Sequence, residues 1–271
     1  MEFVIQKSEL VRELQIVTGV VEKRATLPIL ANLLIETRKE GIQVGASDLE
    51  VTVRGTAKAT VKKEGSVTLP AAKLHEIARS LPDAEVKFKL QDRNQMAISC
   101  ERTRYRIGGQ PRDDFPKFPE LDITGGIKLP AVTLREMIDR VAFAITTEDP
   151  RYSLNGALLL IQPGRMTMVA TDSHRLAFVS RQTTLDPPDE IKVIVPRKTL
   201  NEVTKLTADL GPEEEVSFGH SGNHVFFIVG DHVLTSTILE GNFPRYENVI
   251  PESCEVKMAI PTTDLTDAVR R

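Results

Sequence analysis

Three residues of the types found in a hydrolase triad stand side by side near the middle of the chain. The stretch VATDSHRLAFVS, residues 169–180, places Asp172, Ser173 and His174 in a row. Acyl-transfer enzymes use such side chains as orienter, nucleophile and general base, each within hydrogen-bond reach of the next. Neighbouring residues on an extended segment point to opposite faces, so these three are not expected to form that chain of contacts. A hydrolase that uses Ser173 and His174 is therefore the less favoured hypothesis.

Other enzyme and metal patterns are incomplete in the sequence. His75 and Glu76 lack the second histidine of a zinc-protease helix, and no glycine loop of the kind that cradles phosphates is present. Cys100 and Cys254 lie far apart, without Cys or His neighbours at metal-ligand spacing. We expect two free thiols, no metal and no cofactor.

Composition indicates a soluble protein with room for two domains. The chain has 271 residues, 41% of them apolar and 27% charged. No apolar stretch approaches the roughly 18 residues that span a bilayer, and the N-terminus has no signal-peptide core. These features predict a cytoplasmic location. The net charge of -3 argues against general coating of nucleic acid, although a local basic surface can still bind phosphates.

The elements that position these residues come from a tandem repeat. The segment from Ile29 aligns with the segment from Ser153, so that Asn32 falls on Asn155 and Asp48 on Asp172. The spacing drifts only from 123 to 128 residues along the chain. We predict one copy over residues 1–124, a second over 125–253, and the start of a third, cut short, over 254–271.

Each copy alternates between helical and strand periodicity. Apolar residues at i, i+3, i+4 and i+7 predict helix faces at Leu74, Ile77, Ala78 and Leu81 and at Leu134, Met137, Ile138 and Val141. The spacings of Thr133 with Glu136 and of Thr199 with Glu202 predict capping boxes. Runs such as VKFKL and VFFIV predict strands, giving two β-α-β-β-β halves per copy. The predicted class is α+β, with antiparallel sheets and helices on one face, and such copies either stack or close into a ring.

Motifs along nearly the whole chain resemble one family. In order they are TLPILANLLIE, SDLEVTVRG, LPAAKLHEIARSLP, DDFPKFP, DPRYSLNGALL, VATDSHRLAFVS, VIVPRKTLNEV and GNFPRYENVIP. They are similar to the bacterial DNA polymerase III beta subunits, the sliding clamps. The resemblance implies a non-catalytic processivity factor for the replicative polymerase, with sheets outside and helices lining a hole around duplex DNA. It also implies three similar domains per subunit in a head-to-tail homodimeric ring, so most of the third domain is expected to be absent here.

The resemblance implies partners and a peptide pocket in the second copy. The expected partners are duplex DNA of any sequence and, through short peptide motifs, the polymerase III alpha subunit, the clamp loader, other polymerases and repair proteins. No membrane partner is expected. The pocket carried over from the family consists of Leu154, Thr171, Ser173, His174, Arg175, Leu176, Pro244 and Val249. Its apolar members would form a floor, while His174 and Arg175 would orient the peptide by hydrogen bonds.

Basic residues fall where the family meets DNA. They are Arg24, Lys73, Arg151, Arg197 and Lys198, together with Tyr152. Contacts to phosphates would give affinity without sequence preference, as sliding demands. The predicted helices also carry Glu76, Glu136, Asp139 and Glu202, so the hole is not expected to be uniformly basic. Ala72 stands where some family members have a second basic residue.

The stretch ERTRYRIGG alternates arginine with other residues and so predicts a strand. Arg102, Arg104 and Arg106 would lie on one side, with Tyr105 and Ile107 on the other. Two interpretations stay open: the charges protect an exposed sheet edge, or the strand pairs across a subunit interface as in the family. The second interpretation makes Tyr105 and Ile107 candidates for the dimer interface. For the whole chain, the alternatives to a clamp are a non-catalytic repeat scaffold for protein interactions and the hydrolase.

Overall fold

The computed structural model describes residues 1–21, 27–119, 126–146, 152–251, 253 and 255–271. The first copy forms two successive β-α-β-β-β halves, with one additional strand between them. The first half contains β1 (Glu2–Gln6), α1 (Lys7–Val17), β2 (Asn32–Arg38), β3 (Gly41–Ser47) and β4 (Val51–Lys58), followed by the additional β5 (Thr60–Lys63). The second half contains β6 (Ser66–Pro70), α2 (Ala71–Ser80), β7 (Glu85–Leu90), β8 (Gln95–Cys100) and β9 (Thr103–Gly108).

The second copy repeats the same order, which confirms the predicted half-repeat. Its first half contains β10 (Ile127–Pro130), α3 (Ala131–Val141), β11 (Gly156–Gln162), β12 (Arg165–Thr171) and β13 (Leu176–Gln182). Its second half contains β14 (Ile191–Pro196), α4 (Arg197–Leu206), β15 (Glu215–Ser221), β16 (His224–Val229) and β17 (His232–Thr237).

The strands form three sheets with antiparallel pairing. Their orders are β5-β1-β7-β8-β9, β10-β15-β16-β17-β4-β3-β2-β6 and β13-β12-β11-β14. Helices pack on the sheets, α1 against β4 and α3 against β13. Helices on antiparallel sheets are the α+β architecture predicted from the sequence.

The middle sheet runs from one copy into the other. Strand β17 of the second copy pairs with β4 of the first, with Leu234 opposite Val53 and Thr235 opposite Thr52. Residues Met1–Gly241 accordingly form one compact unit. The two copies therefore share a continuous sheet rather than being joined only by a linker.

The core is aliphatic, and the predicted helix faces lie in it. Leu74 and Ala78 of α2 and Leu134 and Ile138 of α3 are buried. Phe3 and Phe88 stack between β1 and β7 with ring centroids 4.6 Å apart. A core with so few aromatic rings depends on close packing of branched side chains.

The capping-box prediction was wrong for both helices. Helices α3 and α4 begin directly after Pro130 and Pro196, so Thr133 and Thr199 lie inside the first turn rather than at its start. Pro130 and Pro196 have extended ψ angles of 118° and 148°, so each ends a strand and the helix begins at the next residue. Thr199 instead shares a buried hydrogen bond of 2.6 Å with Ser236 of β17.

The thiol of Cys100 is buried and free. Its burial, then the charge of Glu101, raise its pKa above the ordinary value and so disfavour the reactive thiolate. Cys254 lies outside the described residues.

Residues Asn242–Arg271 form a second compact unit. Its elements are a short 3-10 turn, Tyr246–Val249, and the helix α5, Thr262–Arg270. The strand predicted to open a third copy is not formed by residues 255–261. Among the described residues, no helix is long and apolar enough to cross a membrane.

Candidate peptide and DNA interfaces

Asp172, Ser173 and His174 form the tight turn between β12 and β13. The Asp172 carboxylate accepts hydrogen bonds from the backbone N–H groups of His174 and Arg175, each 3.0 Å long. Thr171 Oγ1 accepts from the Ser173 N–H and donates to the Arg175 carbonyl at 2.8 Å. Ser173 has a positive φ of 72°, which closes the turn. The segment is a turn and not the extended run assumed from the sequence.

The hydrogen bonds of the turn are stronger evidence against a hydrolase triad than the alternating side-chain directions of a strand. Within the described residues, the Asp172 carboxylate contacts backbone N–H groups and Arg175 Nε, 2.9 Å away, rather than the imidazole of His174. The N–H of Arg175, followed by that of His174, lowers the pKa of Asp172 below its ordinary value. Asp172 is therefore an ionised acceptor that fixes the turn and, in the part of the chain that the structure describes, it does not orient His174 as the acid of a triad orients a general base.

The first copy contains the same turn with different side chains. Asp48 accepts from the N–H groups of Glu50 and Val51, at 2.9 and 2.6 Å. Leu49, at the place of Ser173, has a φ of 81°. The Leu49 N–H donates to Ser47 Oγ, as that of Ser173 does to Thr171. Backbone architecture is thus shared by both copies, while the exposed side chains differ.

Five of the predicted pocket residues lie in this turn or at the strand ends beside it, namely Thr171, Ser173, His174, Arg175 and Leu176. Leu176 is half-buried where β13 begins, and His174 and Arg175 are exposed. The guanidinium of Arg175 lies 5.5 Å from the ring centroid of Phe143, which is itself 55% exposed. The sequence analysis did not identify Phe143, because nothing in the helical pattern indicates that the second residue after α3 lies beside the turn. An exposed ring beside an exposed arginine gives the turn an apolar wall and a cation–π contact.

Leu154 and Thr171, both predicted to line the pocket, are less accessible than the sequence analysis expected. Leu154 is only 1% exposed, so its side chain does not offer an open apolar surface. The Thr171 hydroxyl is occupied by its two turn hydrogen bonds. Pro244 and Val249 lie in the second compact unit, where both are exposed.

Lys73, predicted to contact DNA, is exposed on α2. Its ammonium pairs with Glu76 Oε2 at 2.9 Å one turn along the helix. Burial, followed by the charge of Arg79, lowers the pKa of the neighbouring His75, which is therefore neutral at pH 7. The exposed face of α2 thus carries mixed charge, as the sequence predicted.

The N-terminus of α4 holds the next two predicted DNA contacts. Arg197 Nη1 donates to the Ile145 carbonyl at 3.1 Å. Lys198 forms an ion pair with Asp48, whose side chain is only 7% exposed. Because Asp48 belongs to the first copy, Lys198 links the two copies and shares its charge with a buried carboxylate. Because of this ion pair, Lys198 is less able to contact a DNA phosphate than we expected from its place at the start of α4.

Other predicted DNA contacts fall at the limits of the described chain. Arg24 and Arg151 lie outside the described residues, as does the side chain of Tyr152.

Glu202, expected to add negative charge to the hole, is 4% exposed and pairs with Lys205 at 2.6 Å. That expectation was wrong, because the carboxylate is turned into the protein.

The predicted interface strand β9 is an edge of its sheet among the described strands. Ile107 is 8% exposed and belongs to the core, whereas Tyr105 is half-buried with its hydroxyl 3.4 Å from Ser80 Oγ. The side chain of Ile107 therefore belongs to the core, while its backbone lies on an edge strand of the sheet.

Comparison with known proteins decides the family. A family model described as the N-terminal domain of the DNA polymerase III beta subunit matches residues 1–119, and one described as the central domain of that subunit matches residues 128–245. A beta sliding clamp from Pseudomonas putida is 37% identical over 254 residues, 93% of this chain and 68% of that relative. The chain belongs to the DNA polymerase III beta subunit family, the beta sliding clamps.

Further beta sliding clamps agree in sequence and fold. The clamp of Pseudomonas aeruginosa is 34% identical over all of this chain and 74% of its own. A crystal structure of that species' clamp bound to griselimycin superposes with a TM-score of 0.87 at 35% identity, covering 94% of this chain and 69% of the other. The Bacillus subtilis clamp gives 0.89 at 28% identity, covering 93% and 68%.

The family match also covers each of the two predicted copies separately. The two matched ranges lie inside the predicted first and second copies. The turn at Asp48 lies in the range matched by the N-terminal domain, and the turn at Asp172 lies in that matched by the central domain. The side-chain difference between the turns is therefore a difference between two domains of one family.

Proposed function

We propose that this chain serves as a non-catalytic sliding clamp that surrounds duplex DNA and holds replication proteins through the turn at residues 171–176. The supporting observation is the pair of equivalent turns. Both copies use one aspartate to fix the same backbone, but the second carries exposed His174 and Arg175 beside a half-buried Leu176, with Phe143 against Arg175. Asp48 and Asp172 serve the shared backbone, whereas His174, Arg175 and Phe143 are exposed side chains that this backbone does not require.

The proposed peptide site combines an apolar anchor with polar orientation. Leu176 and Phe143 offer apolar surface to a leucine or phenylalanine of the peptide. Arg175 and His174 supply donors for peptide carbonyls or a glutamine side chain. Pro244 and Val249, which the family resemblance adds to the pocket, are exposed apolar residues of the second compact unit. Partners would include the polymerase III alpha subunit, the clamp loader and repair proteins.

A Leu176→Asp variant tests this site. A fluorescent peptide with one glutamine and a Leu-Phe anchor should bind the wild-type chain in the micromolar range, and the variant should not bind it. Leu49→Asp, at the exposed residue of the equivalent first-copy turn, is the matched control and should bind normally. Unchanged anisotropy titrations for Leu176→Asp would place the peptide site elsewhere.

We propose that DNA is held by a few contacts at a time, drawn from Arg24, Lys73, Arg151, Tyr152, Arg197 and Lys198. Binding should then be weak, reduced by salt and indifferent to sequence. Arg24→Glu and Arg151→Glu should weaken binding equally for unrelated duplexes in a competition assay. A strong preference for one duplex sequence would contradict sliding.

Ring closure would use the edge strand β9, with Tyr105 and the Ile107 backbone against a second subunit in a cytoplasmic head-to-tail homodimer. We assign residues 1–124 and 125–253 to two clamp domains and 254–271 to the start of a third. The hydrolase alternative has a direct test. An esterase assay should give the same background rate for the wild type and Ser173→Ala.

A further inference from the structure

The sheet β5-β1-β7-β8-β9 has one face in the core and one open face. On the core side, Phe3, Phe88, Ile98 and Tyr105 form a row across four strands. Residues paired directly across antiparallel strands project from the same face. On the open side, one row is Val4, Lys87, Ser99 and Arg104, and the next is Glu2, Lys89, Ala97 and Arg106.

These two rows make a groove along β8. Ala97 and Ser99 are small and form its floor, while the lysines of β7 and the arginines of β9 form its walls. The walls stand two strand spacings apart, about 9.6 Å, and the cations of each wall repeat every two residues, about 6.6 Å. The groove has a volume of about 570 Å³.

The charge of the groove is largely uncompensated. Lys87, Lys89, Arg104 and Arg106 are all exposed. Glu2 lies 3.9 Å from Lys89 at one end. Within the described part of the chain, no carboxylate lies within 4.0 Å of the other three cations. Four exposed cations around small residues form a site for an anionic chain.

We propose that this groove binds an extended acidic run of a partner protein, such as four or more consecutive Glu or Asp residues. Side chains of an extended peptide alternate between its two sides and repeat about every 6.6 Å on each side, the same repeat as both walls. Consecutive carboxylates would thus meet Lys87 and Lys89 on one side and Arg104 and Arg106 on the other. Single-stranded nucleic acid fits less well, because stacking of bases needs aromatic rings and Tyr105 belongs to the opposite face.

The site is independent of the peptide turn in the second copy and uses the opposite face of β9 from Tyr105. Lys87 and Lys89 lie on the interior strand β7, away from the sheet edge. Their replacement therefore separates acidic-peptide binding from any pairing of β9 with a second subunit.

A fluorescein-labelled hexaglutamate peptide tests the proposal by anisotropy at low and moderate salt. The wild-type chain should bind it in a salt-dependent manner, and Lys87→Gln/Lys89→Gln should weaken binding about fivefold to tenfold. The matched control Lys39→Gln/Lys58→Gln removes two exposed lysines elsewhere in the first copy and should leave binding unchanged. Leu176→Asp should also bind hexaglutamate normally.

Three results would overturn the proposal. They are an equal loss of binding in both double-lysine variants, equal binding of a neutral Ser-Gln hexamer, and tighter binding of a hexameric oligothymidylate than of hexaglutamate. Thermal unfolding of each variant should match the wild type, because all four lysines are exposed, so a loss of binding reports on the groove itself.

Discussion

At the scale of single residues, Asp172 stands beside Ser173 and His174 as in a hydrolase triad, but its contacts stabilise the fold. Its carboxylate is fixed by two backbone N–H groups and by Arg175 Nε. Asp48 fixes the corresponding turn in the first copy and also pairs with Lys198. The second-copy aspartate thus stabilises one turn, while that of the first copy also connects the two copies.

Asp172→Asn should show a pH-dependent loss of stability. The folded-state pKa of Asp172 is lowered from the ordinary 3.8, so the ionised carboxylate stabilises the fold above that pH and its contribution is lost as the pH falls through the lowered folded pKa. Chemical unfolding should therefore show the variant less stable at pH 7, with the difference shrinking below about pH 4. Asp189→Asn, at an exposed position, controls for loss of surface charge. A difference that stays constant down to pH 2 would contradict the assignment.

At the scale of elements, strand and helix order was predictable because each half-repeat alternates cleanly between the two periodicities. Helix starts were predicted less well, since the spacing of Thr133 and Glu136 imitates a cap while Pro130 actually precedes the helix. The contact of Phe143 with Arg175 could not be predicted, because it joins a helix end to a turn 32 residues away. The burial of Leu154 and Glu202 likewise depends on packing, which periodicity does not report.

Replacing Thr199 should destabilise the protein, whereas replacing Thr133 should have little effect on its stability. Thr199→Ala removes a buried hydrogen bond to Ser236 and should lower the free energy of unfolding by about 1 kcal/mol or more. Thr133→Ala removes no cap, because α3 starts at Ala131, and should change it by less than about 0.5 kcal/mol. Urea unfolding of both variants compares them directly. A larger effect at Thr133 would restore the capping-box interpretation.

At the scale of the whole molecule, the two copies are joined through buried groups as well as through the shared sheet. Glu13 Oε2 lies 3.0 Å from His232 Nε2, linking α1 to β17. Among the described residues, Oε1 of the same carboxylate is buried without a hydrogen-bond partner and faces Gly55 of β4. A Cβ at Gly55 would overlap the Glu13 and His232 side chains in their present positions.

Gly55→Ala should destabilise both copies together. Its Cβ would lie 1.8 Å from Glu13 Oε1 and 2.5 Å from His232 Cδ2, so these two side chains must move and their contact between α1 and β17 is disturbed, at a cost of about 1–3 kcal/mol. Gly108→Ala is the matched control, because its Cβ would meet no heavy atom within 4 Å. Calorimetry should show one transition in all three proteins, lowered only in Gly55→Ala. Two separate transitions, with only one lowered, would show that the copies unfold independently.

The central claim is that the two copies share one turn and that only the second turn recognises peptide. The direct measurement is titration calorimetry of the Gln/Leu-Phe peptide against a chain whose Ser173, His174 and Arg175 are replaced by the first-copy residues at those places, leucine, glutamate and valine. We expect near-wild-type thermal stability, since Asp172 still fixes the backbone, together with loss of peptide binding. Wild-type affinity in the exchanged chain would contradict the account.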